Sequence, residues 1–323
     1  MRIVVFGAGA IGGVIGARLF QHGHDVTLIA RGDNFAALAS HGVRLETPDE
    51  TLTLPVPVID DPGAFTFSND DLVIVTVKSQ DTLWALNRLA DVAPATTGIV
   101  CAQNGVENER VALRLFRDVY GMCVICPATH LEPGVVQASS SPVHGLMDVG
   151  RWPEGLDERA RELADALSSA HFDSVPRADI ARWKWGKLLS NLGNAVEAVC
   201  GPMDKPGTLV SRALGEGQAV LREAGIEFVG HDEESLRRAQ LLNVRPIGDS
   251  PRGGGSTWQS LVRATGAVET DYLTGEIVML GRLHGVATPV NDLLQRLAGQ
   301  LARERRGPGA WSEDQVLTML ASG

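Results

Sequence analysis

The chain has 323 residues, of which 44% are hydrophobic and 21% charged, and its formal net charge is -10. This length favours two domains over a single hydrophobic core. The negative charge argues against a nucleic-acid partner, because neutralising phosphates requires a basic face. No segment has the roughly eighteen uninterrupted apolar residues of a membrane span. Four cysteines in a chain of this length do not indicate a disulfide framework, so we expect a cytoplasmic protein.

The first twenty residues predict a strand, a tight glycine turn and a helix. Residues 1–6 are apolar and rich in β-branched side chains, and a G-x-G-x-x-G pattern follows. Gly7 permits the tight turn, Gly9 lets backbone N–H groups approach a pyrophosphate, and Gly12 lets the helix pack closely on the strand. The helix N-terminus favours the negative diphosphate, whereas a glycine turn that binds nothing is the alternative. The predicted cofactor loop comprises Gly7, Gly9, Ala10, Ile11 and Gly12.

The end of the second predicted strand indicates which dinucleotide binds. Gly23 is the predicted stop of the first helix, and residues 25–29 are β-prone. In NAD-binding folds this strand usually ends on an acidic residue that binds the ribose 2′-hydroxyl, but Arg31 stands here. A guanidinium suits a 2′-phosphate, so we predict NADPH rather than NADH. The alternative is a surface arginine in a turn before Gly32.

Two later apolar runs, residues 71–77 and 98–101, predict parallel strands that are covered on both faces. Lys78 follows the first run directly, and Asn104 follows the second. Ligands bind at the carboxyl ends of the strands in open α/β sheets. Both side chains are therefore predicted to lie at the cofactor end of the sheet.

Shorter elements complete the first predicted domain. Two prolines reduce residues 51–59 to an edge hairpin at best. Further short strands are expected to extend the sheet in antiparallel fashion, at residues 119–125, 135–137 and 143–146. A helix at residues 156–169 and a closing strand at residues 172–175 follow.

From Pro176 onward the pattern changes to helices alone. One helix is expected to stop at Gly285, and the next to begin with Thr288 as N-cap and Pro289 at its first position. The predicted fold is α/β, with a Rossmann-type dinucleotide-binding domain over residues 1–176 and an all-α domain over residues 177–323. The histidines lack the spacing of metal ligands. Cys123 and Cys126 are three residues apart on a predicted strand and therefore face opposite ways. We therefore predict no metal site.

Lys187, Asn191 and Asn194 are spaced i, i+4 and i+7, which places them in one stripe of a helix. A lysine beside two amides can form a site wall that contains a proton donor. The alternative is a solvated helix face. Acidic residues at 269–276 open another helix, where they are also ordinary partners for the helix dipole.

Taken together, these motifs resemble the ketopantoate reductase family along nearly the whole chain. The shared features are the glycine motif and Arg31, Val77-Lys78-Ser79, Gln103-Asn104-Gly105, Trp185-Gly186-Lys187-Leu188 with Asn191, and Glu269-Thr270-Asp271-Tyr272-Leu273-Thr274-Gly275. The resemblance implies NADPH-dependent reduction of 2-dehydropantoate to (R)-pantoate, a step of pantothenate biosynthesis.

The resemblance also implies roles for single residues. Lys187 would be the general acid that protonates the carbonyl oxygen, and Glu269 would bind a substrate hydroxyl and help to orient the lysine. Asn104 and Lys78 would lie near the nicotinamide end. The implied substrate-binding residues are Asn104, Lys187, Asn191, Asn194, Ser256 and Glu269.

Two departures from the family pattern concern the substrate. Members commonly carry a second asparagine four residues after the first, but that position here is Ala195, and Asn194 precedes it. One residue is about 100° around a helix, although Asn194 lies nearer the Lys187 stripe than Ala195 does. The segment after Ser256 also lacks the acidic residue that the family tends to have.

Two alternatives to ketopantoate reduction therefore stay open. One is an outlying family member that reduces a different 2-keto acid. The other is a non-catalytic protein that senses NADP(H), against which the presence of both Lys187 and Glu269 argues. The helical second domain is compatible with a homodimer.

Overall fold

A computed structural model of the chain describes residues 1–202, 207–248, 254–264 and 266–322. The chain divides into two compact units. The first comprises Met1–Lys184 with Asp232–Arg252, and the second comprises Trp185–His231 with Gly253–Gly323. Among the described helices, none is both long enough and apolar enough to cross a membrane.

Among the described residues, the strands all belong to the first unit, whereas helices occur in both. The strands are β1 (Ile3–Phe6), β2 (Val26–Ile29), β3 (Val43–Glu46), β4 (Thr51–Leu54), β5 (Val58–Ile59), β6 (Leu72–Val75), β7 (Gly98–Cys101), β8 (Val119–Ile125), β9 (Ala128–Thr129), β10 (Val135–Ala138) and β11 (Leu146–Arg151). The helices are α1 (Ala10–Gln21), α2 (Gly32–His41), α3 (Thr82–Ala90), α4 (Glu107–Ala112), α5 (Glu158–Ser169), α6 (Ile180–Cys200), α7 (Thr208–Glu223), α8 (His231–Leu241), α9 (Ser256–Val262), α10 (Thr274–His284), α11 (Pro289–Arg303) and α12 (Glu313–Ser322).

The main sheet has seven strands in the order β11-β8-β7-β6-β1-β2-β5. All neighbours pair in parallel except β11, which runs antiparallel to β8. Successive residues of β1 enter different cores, because Ile3 and Val5 pack on one face of the sheet and Val4 and Phe6 on the other. Both faces are thus covered, as in doubly wound folds. The predicted Rossmann-type α/β fold with a helical C-terminal part is confirmed.

Residues 51–59 lie in edge strands, as predicted, but the predicted hairpin is wrong. β4 pairs antiparallel with β3 at the edge of a second sheet of four strands, ordered β4-β3-β10-β9, whereas β5 joins β2 at the edge of the main sheet. Pro55 and Pro57 separate the two short strands, and the Pro57 carbonyl accepts a hydrogen bond from the Leu28 N–H. The chain therefore passes from one sheet to the other instead of turning back.

The expected antiparallel extension of the sheet is correct only for β11. β8 pairs in parallel with β7, and β10 joins β3 and β9 in the second sheet. The strand expected at residues 143–146 begins only at Leu146 and continues to Arg151, because β8 offers pairing partners over that range.

Residues 172–175 do not form the predicted closing strand. Asp173 makes an isolated bridge to Leu146 of β11, and Pro176, just after this range, makes another to Val149. The Asp148 carboxylate accepts a hydrogen bond from the Val175 N–H at 3.0 Å. This side-chain bond replaces a regular ladder bond and interrupts the pairing.

The division into units differs from a single boundary after residue 176. α8 belongs to the first unit, where Arg237 donates to the buried Asp148 carboxylate at 2.5 Å and also pairs with Asp173. Arg245 pairs with Asp49 at 2.6 Å. These ion pairs bind a helical segment from the second half of the chain to the first unit.

In the second unit, α7, α10 and α11 pack on one another, and carboxylates from neighbouring helices accept hydrogen bonds from the first turns of α7 and α11. Gly285 has a φ of 72° and ends α10, while Thr288 and Pro289 begin α11, so these predicted boundaries are confirmed. The Thr288 side chain does not cap the helix. Instead the Glu216 carboxylate of α7 accepts from the N–H groups of Val290 at 2.9 Å and Asn291 at 3.0 Å.

His144 makes the stability of the first unit depend on pH. Its side chain is 3% exposed, and Nδ1 lies 2.7 Å from the Ser140 carbonyl oxygen. Burial, followed by the positive charge of Arg18, lowers the pKa of His144 to about 4. In the unfolded chain the pKa of a histidine is about 6.5. Below that pH, His144 is therefore protonated in the unfolded state but stays neutral in the folded state. Stability therefore falls as the pH drops from about 6.5 towards 4.

Between pH 7 and about pH 5, we expect the free energy of unfolding of the wild type to fall by about 2 kcal/mol more than that of His144→Gln. Urea unfolding at a series of pH values measures this decrease. His41→Gln, at an exposed position of α2, is the matched control and should keep the wild-type slope. An unchanged slope in His144→Gln would contradict the assignment.

Candidate cofactor and substrate sites

The glycine loop combines a tight turn, a close helix approach and an open helix end. Gly7 has a φ of +113°, a backbone conformation that residues with a side chain rarely adopt. A Cβ at Gly12 would overlap the Gly7 carbonyl oxygen and the Thr76 hydroxyl, whereas a Cβ at Gly9 would meet no atom within 4 Å. Gly9 is the N-cap of α1, and no side chain caps that end. The free N–H groups and the open space at Gly9 fit the diphosphate of a dinucleotide.

Arg31 lies where β2 ends, and it is the N-cap residue of α2. Its side chain is exposed. The guanidinium carbon stands 4.4 Å from the centroid of the Trp84 ring. A cation is therefore present at the strand end where the sequence predicts the 2′-phosphate contact.

Buried hydrogen bonds join the two strand ends that carry Lys78 and Asn104. Gln103 Nε2 donates to the Val77 carbonyl and to the Thr82 hydroxyl, both at 2.7 Å. Asn108 Nδ2 lies 3.1 Å from the Asn104 carbonyl oxygen and 3.2 Å from the hydroxyl of the serine that follows Lys78. The Thr82 hydroxyl donates to Asn108 Oδ1 at 2.7 Å. The loops after β6 and β7 are thus held together.

Sequence reasoning did not single out Thr82 or Asn108. The available signal was their position, since Thr82 opens α3 and Asn108 lies four residues after Asn104, near the start of α4. Polar residues at the starts of helices that follow sheet strands can reach the strand-end loops.

A buried ion pair lies at the carboxyl end of β7. The side chains of Lys184 and Glu109 are 2% and 0% exposed, respectively. Lys184 Nζ also donates to the carbonyls of Gln103 at 2.9 Å and Cys101 at 3.3 Å. Burial raises the pKa of the Glu109 carboxyl, while the Lys184 ammonium favours its charged form. Because the bonded carbonyls precede Asn104, the pair fixes the backbone that presents this side chain. The sequence analysis assigned neither residue a role.

In the second unit, the lysine and amide stripe of α6 has the predicted arrangement. Asn194 Nδ2 lies 3.4 Å from Asn191 Oδ1, and Lys187 Nζ lies 3.5 Å from the Ser190 hydroxyl. Asn191 is buried and Lys187 half-buried, so the alternative of a fully solvated face is wrong. Ala195 is 2% exposed and faces the core.

The amide of Asn194 lies beside the N-terminus of α9, which begins at Ser256. A Cβ added to Gly255 would come within 2.8 Å of Asn194 Oδ1. Glu197, one turn further along α6, accepts a hydrogen bond from the Gly255 N–H at 2.8 Å. The structure thus brings Asn191, Asn194 and the start of α9 together, and adds Glu197, which sequence reasoning missed.

Glu269 begins a short 3-10 turn, Glu269–Tyr272, just before α10. Its side chain is half-buried. Burial lowers the pKa of the Arg263 guanidinium, and the Glu269 carboxylate opposes that shift, so the two charges lie close enough to interact. Arg263 is thus a second cation that interacts with a predicted substrate residue, Glu269, and it was not identified from the sequence.

Within the described residues, no group of three or more His, Cys, Asp and Glu side chains is arranged to hold a metal ion. The four cysteines are free thiols. Burial raises the pKa of the Cys101 thiol well above its usual value, which disfavours the reactive thiolate.

Comparison with known proteins identifies the family. Residues 3–154 match the family described as ketopantoate reductase PanE/ApbA, and residues 179–302 match its C-terminal part. A 2-dehydropantoate 2-reductase of Pyrococcus horikoshii is 29% identical over 318 residues, covering 96% of this chain and 100% of the relative. One from Halobacterium salinarum is 30% identical over 325 residues, covering 94% and 100%.

A solved structure of a member of the same family has a similar fold. The crystal structure of a PanE/ApbA family ketopantoate reductase from Ralstonia eutropha is similar with a TM-score of 0.79 and 27% identity, covering 94% of this chain and 99% of that one. The similarity in sequence and structure extends over both units. The chain belongs to the ketopantoate reductase family.

Proposed function

We propose that this chain reduces a 2-keto acid to a 2-hydroxy acid with NADPH, and that the substrate is 2-dehydropantoate and the product (R)-pantoate. The stripe of Lys187, Asn191 and Asn194 beside Ser256 carries the proposal, because it joins a cation to several hydrogen-bonding groups. Full-length similarity to 2-dehydropantoate 2-reductases supports the choice of substrate.

NADPH is the proposed cofactor, and it supplies the hydride when it is bound. The glycine loop, with Gly7, Gly9, Ala10, Ile11 and Gly12, would hold the diphosphate at the start of α1. Arg31 would bind the 2′-phosphate. Lys78 and Asn104, whose loops are hydrogen-bonded together, would bind near the nicotinamide.

Lys187 is the proposed general acid. Hydride addition to a ketone leaves negative charge on the oxygen, and an ammonium at hydrogen-bond distance stabilises that charge more in the transition state than in the ground state. Lys187 would then transfer its proton to the oxygen. Glu269 would accept a hydrogen bond from a substrate hydroxyl, while Asn191, Asn194 and Ser256 would donate to the substrate.

A different 2-keto acid is the second candidate substrate, and Glu197 favours it. Its carboxylate lies at the Gly255 N–H, beside Asn194, and adds an anionic acceptor to the proposed substrate wall. Such an acceptor prefers a substrate tail that carries a hydrogen-bond donor.

The cellular setting and the assembly also belong to the proposal. Free cysteines and the net charge of -10 support a cytoplasmic protein without a nucleic-acid partner. A homodimer remains a prediction that the helical second unit supports.

Gly9→Ala should weaken NADPH binding by about tenfold or more, since a methyl group would stand where the diphosphate approaches, and leave the melting temperature unchanged. Gly12→Ala should instead destabilise the protein by about 1–3 kcal/mol, because its Cβ overlaps backbone. Calorimetric titration and thermal unfolding measure the two effects. Gly215→Ala, at an open position of α7, is the control. Unweakened binding in Gly9→Ala would refute the proposed loop.

Lys187→Ala should lower kcat by about 100-fold or more, because the general acid is lost, while the Kd for NADPH stays at the wild-type value. Stopped-flow measurement of NADPH oxidation and calorimetric titration separate the two effects. Arg212→Ala removes an exposed cation of the same unit and should leave both values unchanged. Wild-type turnover in Lys187→Ala would refute the mechanism.

The substrate is tested with a panel of 2-keto acids and both nicotinamide cofactors. We expect kcat/KM to be at least about tenfold higher for 2-dehydropantoate than for a branched 2-keto acid without the terminal hydroxyl, because Glu269 would otherwise lose its partner. A larger kcat/KM for another 2-keto acid would replace the substrate but keep the reaction type. No NADPH oxidation with any 2-keto acid would contradict the enzyme assignment.

A further inference from the structure

Arg31 and Trp84 form a cation–π pair, called the stack below, on the first unit. The guanidinium carbon lies 4.4 Å from the centroid of the indole ring, within the range of a cation–π contact. Arg31 follows β2 and Trp84 lies on α3, which follows β6. Since β2 and β6 both pair with β1, the stack connects segments that follow the two neighbours of this strand.

Trp84 is itself held in place from β1. The Phe6 and Trp84 rings make an edge-type contact, with a centroid distance of 6.3 Å and an interplanar angle of 72°. Phe6 is buried and directly precedes Gly7 of the glycine loop. Trp84 remains 43% exposed. Trp84 therefore contacts both a buried ring of β1 and the Arg31 guanidinium.

The stack leaves the hydrogen-bonding groups of Arg31 available. Within the described part of the chain, the Arg31 guanidinium has no ion pair or hydrogen bond, whereas Arg2 and Arg88 are paired with aspartates. The contact with the indole ring gives the guanidinium no oxygen or nitrogen acceptor. Trp84 thus fixes the position of Arg31 without occupying the donors that an anion would need.

The start of α2 adds to the same site. Arg31 is the N-cap residue, and no side chain caps the helix, so its first N–H groups are also available to an anion. Asp33 lies in the first turn and opposes an anion there. A guanidinium held in a fixed position is needed to outweigh that carboxylate, whereas a freely rotating arginine would lose rotamer entropy on binding.

We propose that Trp84 determines the cofactor preference by holding Arg31 in the position where it binds the 2′-phosphate of NADPH. This inference rests on the proposed NADPH site. Trp84 acts through Arg31, so it is a positioning residue. Its effect should appear only in the comparison of a ligand that carries the 2′-phosphate with one that lacks it.

The test measures the Kd of NADPH and of NADH by calorimetric titration without substrate. Trp84→Ala should weaken NADPH binding by about tenfold, within the range expected for loss of a cation–π contact, and leave NADH binding unchanged. Trp84→Phe keeps an aromatic face and should retain most of the preference. Trp311→Ala removes another stacked pair, with Arg306 in the second unit, and should change neither Kd.

The Arg31→Ala background isolates the proposed link. There, Trp84→Ala should have no further effect on NADPH binding. Equal weakening of NADPH and NADH by Trp84→Ala would show a merely structural role and overturn the inference, as would an unchanged ratio of the two constants.

The inference and the proposed function fail in different ways. A wild-type protein that binds NADH as well as NADPH would refute the proposed cofactor preference, and the inference with it. A wild-type protein that prefers NADPH and reduces 2-dehydropantoate, but whose preference survives in both Trp84 variants, would refute only the role of Trp84.

Discussion

The close approach of α1 to the ends of β1 and β6 is the constraint on which the cofactor end of the first unit depends. A Cβ at Gly12 would overlap the Gly7 carbonyl oxygen and the Thr76 hydroxyl, and Thr76 Oγ1 donates to that carbonyl at 2.5 Å. Turn, helix and neighbouring strand are therefore fixed by one contact that excludes any side chain at Gly12. The open end at Gly9 follows from this arrangement, because the helix starts where no side chain fills the space.

An acidic protein that binds an anionic cofactor must place its cations individually. The buried pair of Lys184 and Glu109 illustrates this requirement. Removing two charges from water costs several kcal/mol per ion by rough estimate, and mutual attraction compensates only when further hydrogen bonds are made. Lys184 makes them to the carbonyls of Cys101 and Gln103. The buried pair thereby fixes the backbone that precedes Asn104. Arg31 is positioned differently, by its contact with an aromatic ring.

Local patterns in the sequence predicted the glycine loop, the buried parallel strands and the ends of α10 and α11, because each depends on residues close in the chain. Partners distant in the chain were not predictable. The sheet to which β10 belongs, the capping of α11 by Glu216 and the stacking of Arg31 on Trp84 all join distant segments. A short β-prone run specifies which residues share a face, but not which strand will pair with it.

The same distinction bears on the substrate. An asparagine at position 195 would face the core, because Ala195 is buried, whereas Asn194 contacts Asn191 and lies beside Gly255. The shift by one residue therefore keeps an amide in the proposed substrate wall. Glu197 adds a carboxylate nearby, but its bond to the Gly255 N–H partly offsets the repulsion that an unpaired carboxylate would exert on a keto acid. Lys187 remains the cation of that proposed wall, so under the proposed mechanism these changes would alter the recognition of the substrate tail and leave the chemistry at the carbonyl unchanged.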